Sequence, residues 1–186
     1  MRRVVVVLLA AAVVAGAGVA TARSVPALSA HGPTSVSGTE ASAVFQVGGR
    51  LVRQVRYDDR GTLAYRFVVA NDGPLPVTVT GLAPPEVQPR LFRYLGVTAS
   101  PGASPGAPMF TIGAGERTEV EVRLLMRGCE TLSARAGSFA TGVRLRTERA
   151  GMLEDTVRLT FPEQVHTGSP REVSCPGATA TSRPPG

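Results

Sequence analysis

Apolar and polar residues alternate with a period of two along much of the chain, and this feature constrains the fold more than any other. The clearest stretch is Leu63–Ala70, LAYRFVVA. The same alternation recurs at 77–80, 119–124, 143–146 and 157–161. Successive side chains of a β-strand point to opposite faces, so each stretch predicts a strand with one apolar and one solvated face. Antiparallel sheets with one solvated side have this pattern, whereas buried parallel strands are continuously apolar.

Residues that form turns separate the alternating stretches. The strongest signals are Asn71–Pro74, Asp58–Gly61 and Gly113–Glu116, because Asn, Asp and Gly accept left-handed backbone angles and Pro fixes its own φ. No stretch between residues 43 and 176 has a helical period. Less regular strands are predicted at 43–48, 50–57, 90–98, 108–112 and 171–175. We therefore predict an all-β fold, an antiparallel immunoglobulin-like β-sandwich of about seven to nine strands, with a small closed barrel as the alternative.

The N-terminus has the layout of a secretory signal peptide. Arg2 and Arg3 are followed by 19 uncharged residues, 4–22, which end in Ala20-Thr21-Ala22. This pattern predicts cleavage before Arg23. The alternative is an uncleaved membrane anchor, since about 20 apolar residues span a bilayer. Under both interpretations the two arginines stay in the cytoplasm, so the remainder is expected to be extracytoplasmic, either secreted or tethered to the outer face of the cytoplasmic membrane.

These features divide the chain into four parts. Residues 1–22 are predicted to be a signal peptide or N-terminal membrane anchor. Residues 23–42 are predicted to be a flexible linker, because they are small and polar and contain Pro and Gly. The sandwich domain is predicted at 43–176, followed by a disordered tail at 177–186. Membrane contact is expected only through residues 4–22, and only if they are not cleaved.

The chain has two cysteines, Cys129 and Cys175, and both lie in the part expected to be exported. Outside the cytoplasm such a pair predicts a disulfide, and its loop of about 46 residues would contribute about 4 kcal/mol in the chain-entropy model. A redox role would need closely spaced, activated thiols, and the chain has no Cys-X-X-Cys motif. Because no cysteine precedes Cys129, the sequence also excludes a lipoprotein anchor.

The charge composition excludes two classes of function. All 20 basic residues are arginine, so lysine-based chemistry such as a P-loop or a Schiff base is ruled out. The net charge is +6, but Arg2 and Arg3 belong to the export signal and the other arginines are interleaved with acidic residues. Nucleic-acid binders cluster their positive charge on one face, so no nucleic-acid partner is expected. An arginine-rich, lysine-free composition is typical of a GC-rich genome.

The histidines give no catalytic constellation. A hydrolase triad needs a serine, a histidine and an acid that converge in space. His166 has Ser169 nearby in sequence, but the chain lacks the G-x-S-x-G motif. We therefore interpret His166 as an exposed loop residue. His31 would chelate copper with the terminal amine only if cleavage followed Ala30.

Carboxylates and methionines give no site either. Glu119 and Glu121 share one face of a predicted strand with Arg123, which indicates a solvated charged face rather than a glycosidase pair. The methionines Met109, Met126 and Met152 are dispersed and form no cluster with histidine, so we interpret them as core residues rather than copper ligands. No catalytic residue, cofactor or metal site is predicted.

The combined pattern resembles a loosely defined group of exported immunoglobulin-like proteins from high-GC Gram-positive bacteria. The residues that carry the resemblance are 65–79 (YRFVVANDGPLPVTV), 110–116 (FTIGAGE), Cys129 and 173–176 (VSCP). These are strand and turn motifs, so the resemblance implies a fold, and no catalytic residue comes with it.

We therefore predict a non-enzymatic extracytoplasmic module that contacts a protein or a cell-envelope component. One alternative is an exported accessory domain that binds copper or another ligand. A second alternative is an exported hydrolase with a site that the sequence does not display. A contiguous exposed apolar patch would favour the first hypothesis, a His/Met cluster the second, and a deep polar pocket around His166 the third.

Overall fold

The computed structural model describes residues 27–87, 89, 91–99, 109–128, 137–149 and 151–167. Within these residues the chain forms ten β-strands and no helix, and hence no helix long and apolar enough to cross a membrane. The strands are β1 (Leu28–Ser37), β2 (Ala41–Val47), β3 (Arg50–Val55), β4 (Thr62–Asn71), β5 (Val77–Leu82), β6 (Phe92–Thr98), β7 (Phe110–Ile112), β8 (Arg117–Met126), β9 (Ser138–Arg149) and β10 (Leu153–Thr167).

The strands form two sheets, one with the order β1-β4-β8-β6 and one with the order β2-β3-β10-β9-β5-β7. Taken in chain order as A to G, the seven strands β1, β4, β5, β6, β8, β9 and β10 give sheets A-B-E-D and C-F-G, the arrangement of an immunoglobulin constant-type sandwich. The predicted sandwich is therefore confirmed. Two details were wrong, because β3 and β10 pair in parallel, and because the described part alone has ten strands.

The core lies between the sheets and follows the period of two. On β4 the residues Leu63, Tyr65, Phe67 and Val69 are fully buried, and on β8 every second residue from Val120 to Met126 is buried. The rings of Tyr65, Phe67 and Phe161 form a cluster with centroid separations of 4.8 to 5.6 Å. Burying each large apolar side chain contributes about 1.5–3 kcal/mol, so this cluster holds the two sheets together.

Tyr65 also fixes the shape of β10. Its hydroxyl donates to the carbonyl oxygen of Glu163 at 3.0 Å and accepts from the amide of Glu163 at 3.2 Å. Burial raises the pKa of the Tyr65 hydroxyl above its usual range, so the neutral donor persists. Glu163 lies in a bulge where the register of β10 against β9 shifts between Thr160 and Val165. Pro162 occupies the same bulge, because proline cannot donate to a sheet ladder and is tolerated where pairing is broken.

The predicted linker at 23–42 was wrong over most of its described length. Residues 28–37 form β1, which pairs with β4 from Leu28↔Asn71 to Ser37↔Ala64, and β2 begins at Ala41. Leu28, Ala30 and Val36 pack against the core, so this segment contributes to burial. A register shift between His31 and Ser35 interrupts the pairing, and the period of two is lost there. The sandwich therefore begins before residue 43.

The predicted turn at Asn71–Pro74 is confirmed, and Asn71 does more than form it. Its side-chain amide nitrogen lies 2.8 Å from the carbonyl oxygen of Leu75 and 3.1 Å from those of Ile112 and Gly113. Its side-chain oxygen accepts from the amide of Gly73 at 3.1 Å. The turn is thereby attached to β7. The predicted signal segment 1–22, the strand 171–175, the tail 177–186 and the Cys129–Cys175 disulfide lie outside the described residues.

Candidate interaction surface

Strands β2 and β3 form a hairpin at one end of the six-stranded sheet. A two-residue turn, Gly48-Gly49, joins them, with φ of +54° and +78°. Positive φ at both central residues is the type I′ geometry, which matches the twist of the flanking strands and favours glycine. The pairs Val47↔Arg50 and Gln46↔Leu51 follow directly. The sequence therefore specifies a tight hairpin at this point.

The hairpin exposes apolar side chains on both of its faces. Phe45 and Val47 lie on one face, and Val44 lies on the other together with Leu51, the cross-strand neighbour of Gln46. These four residues, which we call the hairpin surface, are between 37 and 55 % exposed. Strand β2 has no charged residue, and its polar side chains are Ser42 and Gln46.

Two contacts anchor the hairpin to the bulge of β10. Arg53 on β3 donates through Nε to the carboxylate of Glu163 at 2.7 Å, and both side chains are largely buried. The parallel register runs from Gln164↔Val52 to Thr167↔Val55. The backbone of Glu163 is hydrogen-bonded to the core residue Tyr65. Glu163 therefore links the hairpin, through Arg53, to the core.

A further exposed apolar side chain, Phe139, lies on β9 of the same sheet. Its side chain is 47 % exposed, and its ring packs on that of His166 with a centroid separation of 4.3 Å. The register places Phe139, His166 and Gln54 in one row across β9, β10 and β3. Gly137 permits the ring of His166 to lie close to the backbone, because a Cβ atom at residue 137 would clash with the Nε2 atom of His166.

A cleft of about 490 Å³ lies between the hairpin turn and the β10 bulge, and its lining includes Arg50, Leu51, Arg158 and Pro162. A second cleft of about 190 Å³ shares Thr141 and Arg158 with it and is also lined by Phe139, Tyr94, Arg144 and the highly exposed Val87. The two clefts are therefore adjacent. Their walls combine apolar side chains with guanidinium groups.

The interpretation of His166 as an exposed loop residue was wrong. Strand β10 continues through the bulge to Thr167, so His166 lies within a strand and is half-buried. Burial lowers the pKa of its imidazole. Its Nδ1 atom is buried and has no hydrogen-bond partner among the residues that the structure describes. Nothing in that part of the chain activates this imidazole as a general base.

The interpretation of Glu119 and Glu121 as one solvated face was half wrong. Glu119 is exposed, whereas Glu121 is only 1 % exposed at the centre of the outer face of the four-stranded sheet. Arg66 and Arg123 each donate through Nε to one of its carboxylate oxygens at 2.8 Å. Two guanidinium groups therefore neutralise this carboxylate. Arg66 could not be identified as a partner from spacing, because it lies on β4 and meets Glu121 through the strand register.

The residues considered as copper ligands differ in how deeply they are buried. Met126 is buried in the core, while Met109 and Met152 are exposed. His31 lies 2.8 Å from the hydroxyl of Ser29, which donates to the carboxylate of Asp72 at 2.5 Å. No group of three metal-ligating side chains occurs within the described ranges. The interpretation of the methionines as core residues holds for Met126 alone.

The hairpin surface was not found from the sequence. The stretches 43–48 and 50–57 were predicted only as less regular strands. A usable signal was the absence of charge from ASAVFQV at 41–47, since the other long alternating stretches have arginine or glutamate on their solvated face.

No family model and no curated protein matches the chain. Among solved structures, the ASH/PapD-like domain 7 of human CEP192 is similar to it at 14 % sequence identity, with a TM-score of 0.32 over 73 % of this chain and 84 % of that one. A likeness this distant carries no argument about function. The fold assignment therefore rests on the strand order, and the candidate site rests on its own residues.

Proposed function

We propose that this chain is a non-enzymatic, extracytoplasmic immunoglobulin-like module that binds a protein of the cell envelope. The observation that carries the proposal is the exposed apolar side chains of the hairpin surface, at the β2 edge of the six-stranded sheet. Phe139, on β9 of the same sheet, is a further exposed apolar side chain. Exposed apolar patches on a folded protein mark interaction sites, and a few aromatic and arginine side chains carry most of the energy of protein interfaces.

The clefts beside the hairpin indicate the chemistry of the partner. Arg50 and Arg158 line the larger cleft together with Leu51, and Arg144 joins Arg158 in the smaller one. Arg158 pairs with Glu86 at 3.4 Å, but both side chains are exposed, and Arg144 donates to the carbonyl oxygen of Pro84 at 3.1 Å. Guanidinium groups form strong, oriented hydrogen bonds with carboxylates. The partner that fits this surface inserts apolar side chains near Leu51 and Phe139 and places acidic side chains beside the arginines.

Site-specific photo-crosslinking in the native host tests the interaction. A photoreactive amino acid replaces Phe139 in one variant and Leu51 in a second. Glu119, an exposed residue on the outer face of the other sheet, is replaced in the control. We expect discrete adducts of one mass from the first two variants and none from the control. Equal adducts from all three positions, or none from Phe139 and Leu51, would contradict the proposed surface.

The extracytoplasmic location is supported by the signal-like segment at 1–22 and is tested separately. We expect the protein in the secreted or membrane fraction, with a mature N-terminus at Arg23 if the segment is cleaved. Recovery of the intact chain from the cytoplasmic fraction would contradict the location without bearing on the interaction surface.

A further inference from the structure

The edges of the two sheets are not equally protected against pairing with another strand. Among the described strands, the edges are β1, β6, β2 and β7. Strand β1 contains Pro33 and a register shift, β6 carries Arg93 and a shift between Tyr94 and Gly96, and β7 has only three residues. Prolines, charges, irregular pairing and short length are the devices that prevent association through a sheet edge.

Strand β2 has little of this protection. It contains neither a charged residue nor proline, and its register against β3 shifts only near its start, between Ala41 and Val44. The remaining segment, Val44–Val47, is regular, and in the described part of the chain it pairs with β3 alone. Its apolar side chains are exposed. An uncharged, regular edge of this kind is a template for a further strand.

We propose that β2 pairs in an antiparallel manner with β2 of a second copy of this chain, around a two-fold axis at Phe45. The two six-stranded sheets then form one continuous sheet. This inference rests on the proposed function in one respect, because both use the hairpin surface. Self-pairing occupies the edge of β2, whereas the envelope partner binds at the clefts, which remain open.

The geometry of the strand favours a second copy as the occupant. Antiparallel pairing of two identical strands around a two-fold axis is self-complementary, because each residue meets its counterpart in the reversed order. A pairing centred on Phe45 places the two phenylalanine rings side by side on the same face of the joined sheet. Aromatic cross-strand pairs of this kind stabilise a sheet.

Charge supports the antiparallel orientation. Glu40 immediately precedes β2 and Arg50 follows the hairpin turn at its other end. Antiparallel pairing places the acidic start of each β2 at the same end of the joined sheet as the hairpin turn of the other copy, where Arg50 lies opposite Val47 on β3. Glu40 lies 3.2 Å from Arg56 of its own chain, but its side chain is 79 % exposed, so it remains accessible to a second arginine. A parallel arrangement would place like charges together at each end.

The test is the oligomeric state of the full chain, purified from the fraction in which the host places it, measured by light scattering over a range of concentrations. We expect wild type to reach twice the mass of the chain at high concentration and to dissociate on dilution. Phe45→Arg puts two like charges at the axis and is expected to weaken association at least tenfold. Phe139→Arg is the matched control, because Phe139 has comparable exposure, 47 % against 40 %, but does not lie on the edge.

Cysteine substitution locates the axis. Phe45→Cys places two thiols opposite each other, so mild oxidation is expected to yield a disulfide-linked dimer. Val47→Cys is more exposed but lies two residues from the axis, and is expected to cross-link no more than wild type. Each variant must have a thermal unfolding midpoint within a few degrees of that of wild type. If Phe45→Arg does not fold, Phe45→Ser replaces it as the polar substitution in the light-scattering experiment.

Three results would overturn the proposal. These are a wild-type chain that is monomeric at all concentrations, dissociation by Phe139→Arg as strongly as by Phe45→Arg, and equal cross-linking of the two cysteine variants. If wild type is monomeric but Phe45→Arg loses the photo-adducts formed from Leu51, an extended segment of another protein occupies the edge. Self-pairing would then be wrong, while the proposed binding function would stand.

Discussion

The outer face of the four-stranded sheet and the hairpin surface of the six-stranded sheet differ in whether their side chains are paired within the chain. On the four-stranded sheet, the carboxylate of Glu121 is covered and neutralised by Arg66 and Arg123. On the six-stranded sheet, the hairpin surface leaves apolar side chains in contact with solvent. On the first face the carboxylate and the two guanidinium groups pair with one another, so this cluster contributes to the fold itself. The second leaves apolar area exposed, and removing that area from water is favourable. We propose that the first face serves folding and that the hairpin surface serves binding.

The largest expected effect tests the Glu121 cluster. Glu121→Ala leaves two partly exposed guanidinium groups without their shared carboxylate, and losing hydrogen bonds to a charged group costs about 1.5–3 kcal/mol. We expect the free energy of unfolding, measured by urea denaturation, to fall by roughly this amount. Glu119→Ala, on the same strand but exposed, should change it by less than about 0.5 kcal/mol. Equal losses from the two variants would show that the Glu121 cluster does not stabilise the fold.

A smaller effect is expected at Tyr94, which reaches from β6 to the six-stranded sheet. Its hydroxyl donates to the carbonyl oxygen of Gly142 at 2.5 Å, and losing such a bond costs about 1 kcal/mol. Tyr94→Phe should lower the free energy of unfolding by this amount at neutral pH. A loss above about 3 kcal/mol would point to disturbed packing rather than a lost hydrogen bond.

The same residue gives an alkaline pH dependence. Burial raises the pKa of Tyr94 from 10.0 to about 12, so the folded state holds the phenolic proton more tightly than the unfolded state. The resulting stabilisation is complete below pH 10.0 and is lost as the pH rises towards 12. Tyr94→Phe should therefore lose less stability than wild type over this range, with the remaining dependence due to Tyr65. Parallel curves for the two proteins would contradict the assignment.

The sequence predicted the parts of the fold that depend on local chemistry. The alternation on β4 and β8 gave the core, and Asn71–Pro74 gave a turn. Features that depend on long-range pairing were not predictable. Glu121 is buried because the register of β4 brings Arg66 beside it. Residues 28–37 form a strand because β4 offers them an edge. His166 lies in a strand because Tyr65 holds the bulge that lets β10 continue past Pro162.

His166 gives a weaker pH effect at the border of the binding region. Burial lowers the pKa of its imidazole in the folded state, so protonation is easier in the unfolded chain. Stability is therefore full above the unfolded pKa of about 6.5 and declines as the pH falls below it. His166→Gln should show a shallower decline between neutral pH and pH 5 in urea denaturation. An unchanged slope would mean that another group causes the acid sensitivity.

The smallest expected change in stability belongs to the hairpin surface. Leu51→Ser removes a half-exposed side chain that lines the larger cleft, and surface substitutions usually change the free energy of unfolding by less than about 0.5 kcal/mol. The same substitution removes an apolar anchor from the interface, so we expect partner adducts formed through a photoreactive group at Phe139 to decrease strongly. Ala140 is buried in the same sheet, and Ala140→Ser should instead lower stability and leave adduct formation by the folded fraction intact. If Leu51→Ser destabilised the fold as much as Glu121→Ala, the hairpin would belong to the core, and the separation of a folding face from a binding face would be wrong.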